Sequence, residues 1–153
     1  MRTISNAILF LRIFVVAAAV PYLMRLKLSK VGGVLEPGSD PVAVPEDRVR
    51  KIAGYVERAI RHGQPLVRQG CLTRGLTRYY FLRRAGMDVT LCFGMGRLEK
   101  GFMGHCWLVK DEEPFLETQD PRTLYAEMYR ISRAGSQASG LAAVSGFGRF
   151  ANS

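Results

Sequence analysis

Apolar residues recur along this chain with two periods, helical in the first half and strand-like in the second. The run ISNAILFLRIFVVAAAVPYLM, from Ile4 to Met24, is almost wholly apolar and long enough to span a bilayer. Arg12 interrupts it midway and Pro21 near its end. Residues 32–45, GGVLEPGSDPVAVP, carry three glycines and three prolines and read as a linker. Pro45, Glu46 and Asp47 suit the first turn of a helix. Val49, Ile52, Ala53, Val56 and Ile60 follow at helical spacing, and Gly63 and Pro65 end the pattern. After Gly70 a second helix is predicted from Leu72, Leu76, Tyr79 or Tyr80, and Leu82; it starts at or near Cys71 and stops at Gly86.

Beyond Gly86 the signals change. Val89 to Phe93 is a β-type run, and GMGRLEKG reads as a turn or loop. His105 to Val109 is a second strand, Asp111 to Glu113 a polar turn, and Phe115 to Thr118 a short third strand closing a hairpin. Leu124 to Ile131 reads as a final helix, and the Gly-, Ser- and Ala-rich stretch from Ala134 is expected to be flexible. No internal repeat is visible. Helices first and an antiparallel sheet after them is the α+β class. The expected organisation is an apolar N-terminal helix over 1–31, a linker over 32–45, one domain over 46–133 and a tail over 134–153.

Composition adds limits. A chain of 153 residues with 48% apolar and 23% charged residues is an ordinary globular protein with one core. The net charge of +9 comes from scattered groups such as Arg25/Lys27, Arg48/Arg50/Lys51 and Arg83/Arg84. No block of five basic residues occurs, so a nucleic-acid partner is not indicated. A basic surface suits an anionic membrane or an acidic peptide, although a solvated face accounts for most such charge. The N-terminal run admits three readings. It is a helix packed on the domain or lying in a membrane interface with MRLKLSK at the head groups, a membrane span, or a signal with Ala17-Ala18-Ala19 as its cleavage site.

Three cysteines, Cys71, Cys92 and Cys106, form no disulfide framework and fit a reducing compartment, hence the cytoplasm, with membrane association left open. There is no C-x-x-C, and His62 and His105 lie far apart. A zinc site is therefore not expected unless Cys71, Cys106 and His105 converge in space. Cys92 and Cys106 read as small buried hydrophobes, Cys106 facing away from whatever His105 faces. Cys71 differs. At the first turn of a helix, unpaired N–H groups and the positive end of the dipole favour a thiolate and can receive an oxyanion. A nucleophilic cysteine needs a base, and the base needs a group that fixes its tautomer. The chain supplies a helix-borne Cys71, then His105 on a strand, then Glu117 or Asp120. If the hairpin turns at Asp111 to Glu113, Glu117 lies opposite Trp107 and shares the face of His105. Asp120 would need a bend to return.

The run GCLTRGLTRYYFLRRAGMDVTLCFGMGRLEKGFMGHCWLVKDEEPFLE resembles the core of the transglutaminase-like superfamily and, more narrowly, the leader peptidases of lasso-peptide biosynthesis. The matching blocks are Cys71-Leu72-x-Arg74-Gly75-Leu76, Leu82-Arg83-Arg84-Ala85-Gly86, Gly94 and His105-Cys106-Trp107-Leu108, within roughly residues 65 to 120. The sequence departs from that pattern with Gly75 and Cys106 where alanine is usual, and with Asp111-Glu112 in place of D-G. The resemblance implies a papain/transglutaminase-like cysteine-protease fold, with N-terminal helices, a Cys-bearing helix and a small antiparallel sheet. It implies Cys71 as nucleophile and His105 as base, with Glu117 matching the acid of the peptidase subgroup and Asp120 with Pro121 the D-P of the wider superfamily. It also implies removal of the leader from a ribosomally made precursor peptide, without cofactor or metal. The chain is expected to be too short to hold its own recognition domain, so a separate leader-recognition protein and a cyclase are the expected partners. Cross-linking or deamidation shares every catalytic residue, and a non-enzymatic membrane-associated binding module is the alternative of another class.

Overall fold

The structure is a computed structural model, and it describes residues 2–38 and 40–138. Two amphipathic helices set its frame. Helix α3 (Glu46–His62) begins with Glu46 and Asp47 and ends with Arg61 and His62, so charges of the favourable sign sit at both ends of its dipole. Val49, Ile52, Val56, Ala59 and Ile60 form its buried stripe. Helix α4 (Cys71–Ala85) ends at Gly86, which adopts φ 101°. Its N–H bonds to the Arg83 carbonyl at 3.0 Å and that of Met87 to the Leu82 carbonyl at 2.9 Å, a glycine-dependent stop. Both helices match the expected spans.

Helix α1 (Arg2–Leu23) packs against α3 and α4. Ile13, Ala17 and Val20 are buried there, in one core with Val56, Leu76, Leu82 and Leu91. Its other side is open: Ile8, Leu11, Val15 and Tyr22 are all more than half exposed. The helix is long and apolar enough to cross a membrane, and only 17% of its most apolar window is buried.

The sheet is antiparallel, in the order β3-β2-β1-β4-β5. Its strands are β1 (Thr90–Leu98), β2 (Gly101–Lys110), β3 (Glu113–Phe115), β4 (Ala126–Ser132) and β5 (Gly135–Ala138). Leu91, Cys106, Leu108 and Ile131 join the helices in the main core. Cys92, Trp107 and Val109 form a smaller cluster with Tyr125, as side-chain alternation requires. The molecule is α+β, as expected.

Five local expectations are corrected. Residues 32–35 are not linker but the end of helix α2 (Leu28–Leu35), because Val31 and Leu35 are both buried and outweigh the two glycines. GMGRLEKG is mostly strand, with only Glu99 and Lys100 turning. Gly94 and Gly96 permit close approach: a Cβ at Gly94 would lie 2.7 Å from the Trp107 ring, and one at Gly96 2.0 Å from the Leu124 carbonyl oxygen. The third strand is Glu113–Phe115 rather than 115–118, since Asp111 and Glu112 make a two-residue turn with φ 52° and 61°. The expected helix from Leu124 to Ile131 is β4, because the open edge of β1 offers pairing from Leu91 to Met95. Gly135–Ala138 of the expected flexible tail pairs with β4 as β5; residues 139–153 lie outside the described residues.

Candidate active site

The site begins where α4 does. Gly70, its N-cap, adopts φ 152° and contributes no side chain, so Cys71 heads the helix with the first-turn N–H groups around it. Cys71 is half-buried. Cys92 and Cys106 are buried, and burial pushes both thiols far up, so neither is a thiolate near neutral pH.

His105 stands on β2, pointing to the opposite side of the strand from Cys106. Its ring stacks on Tyr125 with centroids 4.9 Å apart, and more loosely on Trp107 at 6.1 Å. Those contacts fix the plane of the imidazole. His105 Nε2 lies 3.7 Å from Glu117 Oε2, both side chains being largely buried.

Glu117 arrives by a bend, not by strand register. The two-residue turn pairs Leu108 with Phe115, one step off the expected hairpin, which had put Glu117 opposite Trp107. Leu116 then adopts φ 60° and ends the strand. Its carbonyl accepts a bond from Arg78 Nη1 at 3.2 Å, and Arg78 Nη2 reaches Glu57 Oε1 at 2.9 Å. Arg74 grips the same carboxylate with Nε at 2.6 Å and Nη2 at 3.2 Å. Burial raises the Glu57 carboxyl, but Arg74 and Arg78 outweigh it and hold the group below its ordinary value. In Arg78 burial wins and lowers the guanidinium from its usual range. A chain of charge thus runs from α3 through α4 to the residue before Glu117.

Cys71, Arg74, Arg78, His105, Cys106 and Glu117 border one cavity of about 20 Å³, room for roughly a single water molecule. Asp120 does not border it. Its carboxylate caps the turn Pro121–Thr123, accepting from the Arg122 N–H at 2.9 Å and from the Arg122 side chain, which holds it below its ordinary value. Cys71, His105 and Cys106 do come together, yet among the described residues no three His, Cys, Asp or Glu are disposed to hold a metal ion.

Sequence reasoning missed Glu57, Arg78 and Tyr125. One signal was present: Cys71, Arg74 and Arg78 are spaced i, i+3, i+7 and so share a helix face. Chemically, the cavity holds a thiol at a helix N-terminus, an imidazole in a fixed plane and a carboxylate beside it, the parts of an acyl-transfer site. A family model described as the transglutaminase-like superfamily matches residues 12–130. No curated protein and no solved structure matches significantly.

Proposed function

The chain belongs to the transglutaminase-like superfamily, whose chemistry is cysteine-based and acts on amides, and from that premise we propose a peptidase that removes the leader from a ribosomally made precursor peptide. One observation carries the reading: the cavity bordered by Cys71, His105 and Glu117, with His105 Nε2 3.7 Å from the Glu117 carboxylate. Cys71 Sγ attacks the carbonyl carbon of the scissile amide, and His105 takes the thiol proton. The oxyanion faces the unpaired N–H groups at the start of α4, where the helix dipole favours it. His105 then gives its proton to the leaving amine, and the C–N bond breaks to leave a thioester on Cys71. Water, activated by the same imidazole, adds to the thioester and frees the acid and the thiol. Glu117 holds the imidazole in the tautomer this cycle needs and stabilises it when charged.

The expected partners are a separate leader-recognition protein and a cyclase, in keeping with the lasso-peptide resemblance of residues 65–120. The test is incubation of the full chain with a candidate precursor and its recognition protein, followed by mass. Loss of a leader-sized fragment, absent with Cys71→Ala, is the expected result. An ammonia-sized loss or a cross-linked product instead turns the reading to deamidation or transamidation. An intact precursor with a Cys71 no more reactive than free cysteine removes it.

A second reading concerns location and rests on α1. The exposed row Ile8, Leu11, Val15 and Tyr22 is followed by Arg25, Lys27 and Lys30, apolar surface beside positive charge. That combination suits association with an anionic membrane surface.

A further inference from the structure

Strand β2 runs from Gly101 to Lys110, but β3 covers only Leu108 to Lys110. On the side away from β1, residues 101–107 have no strand partner among the described residues. Register shows which backbone groups this leaves open. Leu98 and Gly101 flank a two-residue turn and pair across it, so Gly101, Met103 and His105 direct their N–H and C=O groups to β1. Phe102, Gly104 and Cys106 direct theirs outward. The second hairpin gives the same parity independently, because Lys110 and Glu113 flank its turn and the even-numbered residues of β2 bond to β3.

Sheet edges in stable proteins are blunted by lysine, proline, bulges or covering loops. Gly101-Phe102-Met103-Gly104 has neither charge nor proline. Phe102 is 74% exposed, Met103 43%, and Gly104 is exposed as well. A Cβ at Gly101 would meet nothing within 4 Å, and one at Gly104 only the Gly94 carbonyl oxygen at 3.8 Å. This edge stops at His105, on the cavity that holds Cys71.

We propose that the open edge of β2 is the substrate subsite: an extended peptide adds to it as a further strand, its main chain paired with Phe102 and Gly104. Residue spacing along a strand of about 3.3 Å means that about three substrate residues beside the scissile bond are held this way. Main-chain pairing reads the extended conformation rather than a particular sequence, and the side chains of Phe102 and Met103, on opposite faces, add apolar contacts to alternate substrate residues. The inference rests on the peptidase reading for its substrate, but its test does not.

The tightest-binding member of a random peptide pool captured by the full-length Cys71→Ala chain serves as the probe. Hydrogen exchange at the Phe102 and Gly104 amides is followed with and without it, and both amides are expected to become protected. The same peptide, remade with one N-methyl group at each position in turn, is expected to lose about five- to tenfold in affinity at alternate residues only, the effect of one lost backbone bond. Protection by the captured peptide keeps the edge whatever the precursor test gives for the peptidase; cleavage of the captured peptide without protection keeps the peptidase and removes the edge. A pool that yields no binder overturns the subsite. So does a loss without period two, or amides already protected in the peptide-free chain in a concentration-dependent way, which makes the edge an interface between copies.

Discussion

Three cysteines carry the same side chain into three environments, and the surroundings, not the residue type, separate them. Cys106 is sealed in apolar packing and Cys92 is buried beside the Glu127 carboxylate, and both settings disfavour a thiolate. Cys71 stands half-exposed at a helix start beside His105 and Glu117. Cys71→Ala is therefore expected to lower peptide cleavage by about 10⁴-fold or more, while Cys92→Ala leaves the rate within about twofold. The two carboxylates separate just as sharply. Glu117→Gln is expected to lower kcat by about 10² to 10⁴, since it removes the charge next to the imidazole. Asp120→Asn acts only on the capped turn and leaves kcat nearly unchanged. Steady-state kinetics on both variants decides between them, and a reversed order assigns the orienting role to Asp120.

Between elements, small volumes and buried charges set the geometry. A Cβ on Gly75 would lie 2.6 Å from Cys106 Sγ and 3.3 Å from a Leu91 methyl. The absence of a side chain on the helix thus makes room for the Cys106 sulfur on the strand. Gly75→Ala alone is expected to cost about 1–3 kcal/mol by overpacking, and the double variant with Cys106→Ala to recover most of it. A thermodynamic cycle from denaturant unfolding measures the coupling, and additive costs exclude it. The Glu57 clamp adds a pH dependence. Its folded carboxyl sits below its ordinary value of 4.5, so its stabilisation is complete above that pH and is lost as pH falls through the lower, folded value. Melting temperature should fall below about pH 4.5 in the wild type, and less steeply in a Glu57→Gln variant, whose clamp is already weakened.

On the scale of the whole molecule, α1 faces two ways. Ile13, Ala17 and Val20 join the common core, while Ile8, Leu11, Val15 and Tyr22 present an apolar row outward. The full chain is expected to sediment with vesicles containing anionic lipid and to be partly released by salt, because the contribution of Arg25, Lys27 and Lys30 is screened. Lys27→Glu/Lys30→Glu should weaken that binding without altering peptide cleavage; equal sedimentation with neutral vesicles would remove the electrostatic part. Legibility followed the range of the interactions. Helices α3 and α4 were readable to their ends because proline, glycine and end charges act within one or two turns. Strand β4 was not, since Leu124 to Ile131 fits a helical pattern and only the waiting edge of β1 selects extension. The step that carries Glu117 to His105 was equally hidden: it turns on Leu116 at φ 60°, held by an arginine 38 positions earlier in the chain.

By itself the sequence determined the α+β class, the helix that starts at Cys71, and the identity of the thiol, imidazole and candidate acids, because these depend on neighbours a few residues apart. Tertiary structure alone decided which carboxylate reaches the imidazole, which arginine holds the Leu116 turn before it, and that β2 leaves an edge open beside the cavity. Those outcomes depend on contacts between residues distant in the chain, whose free energies local patterning does not encode.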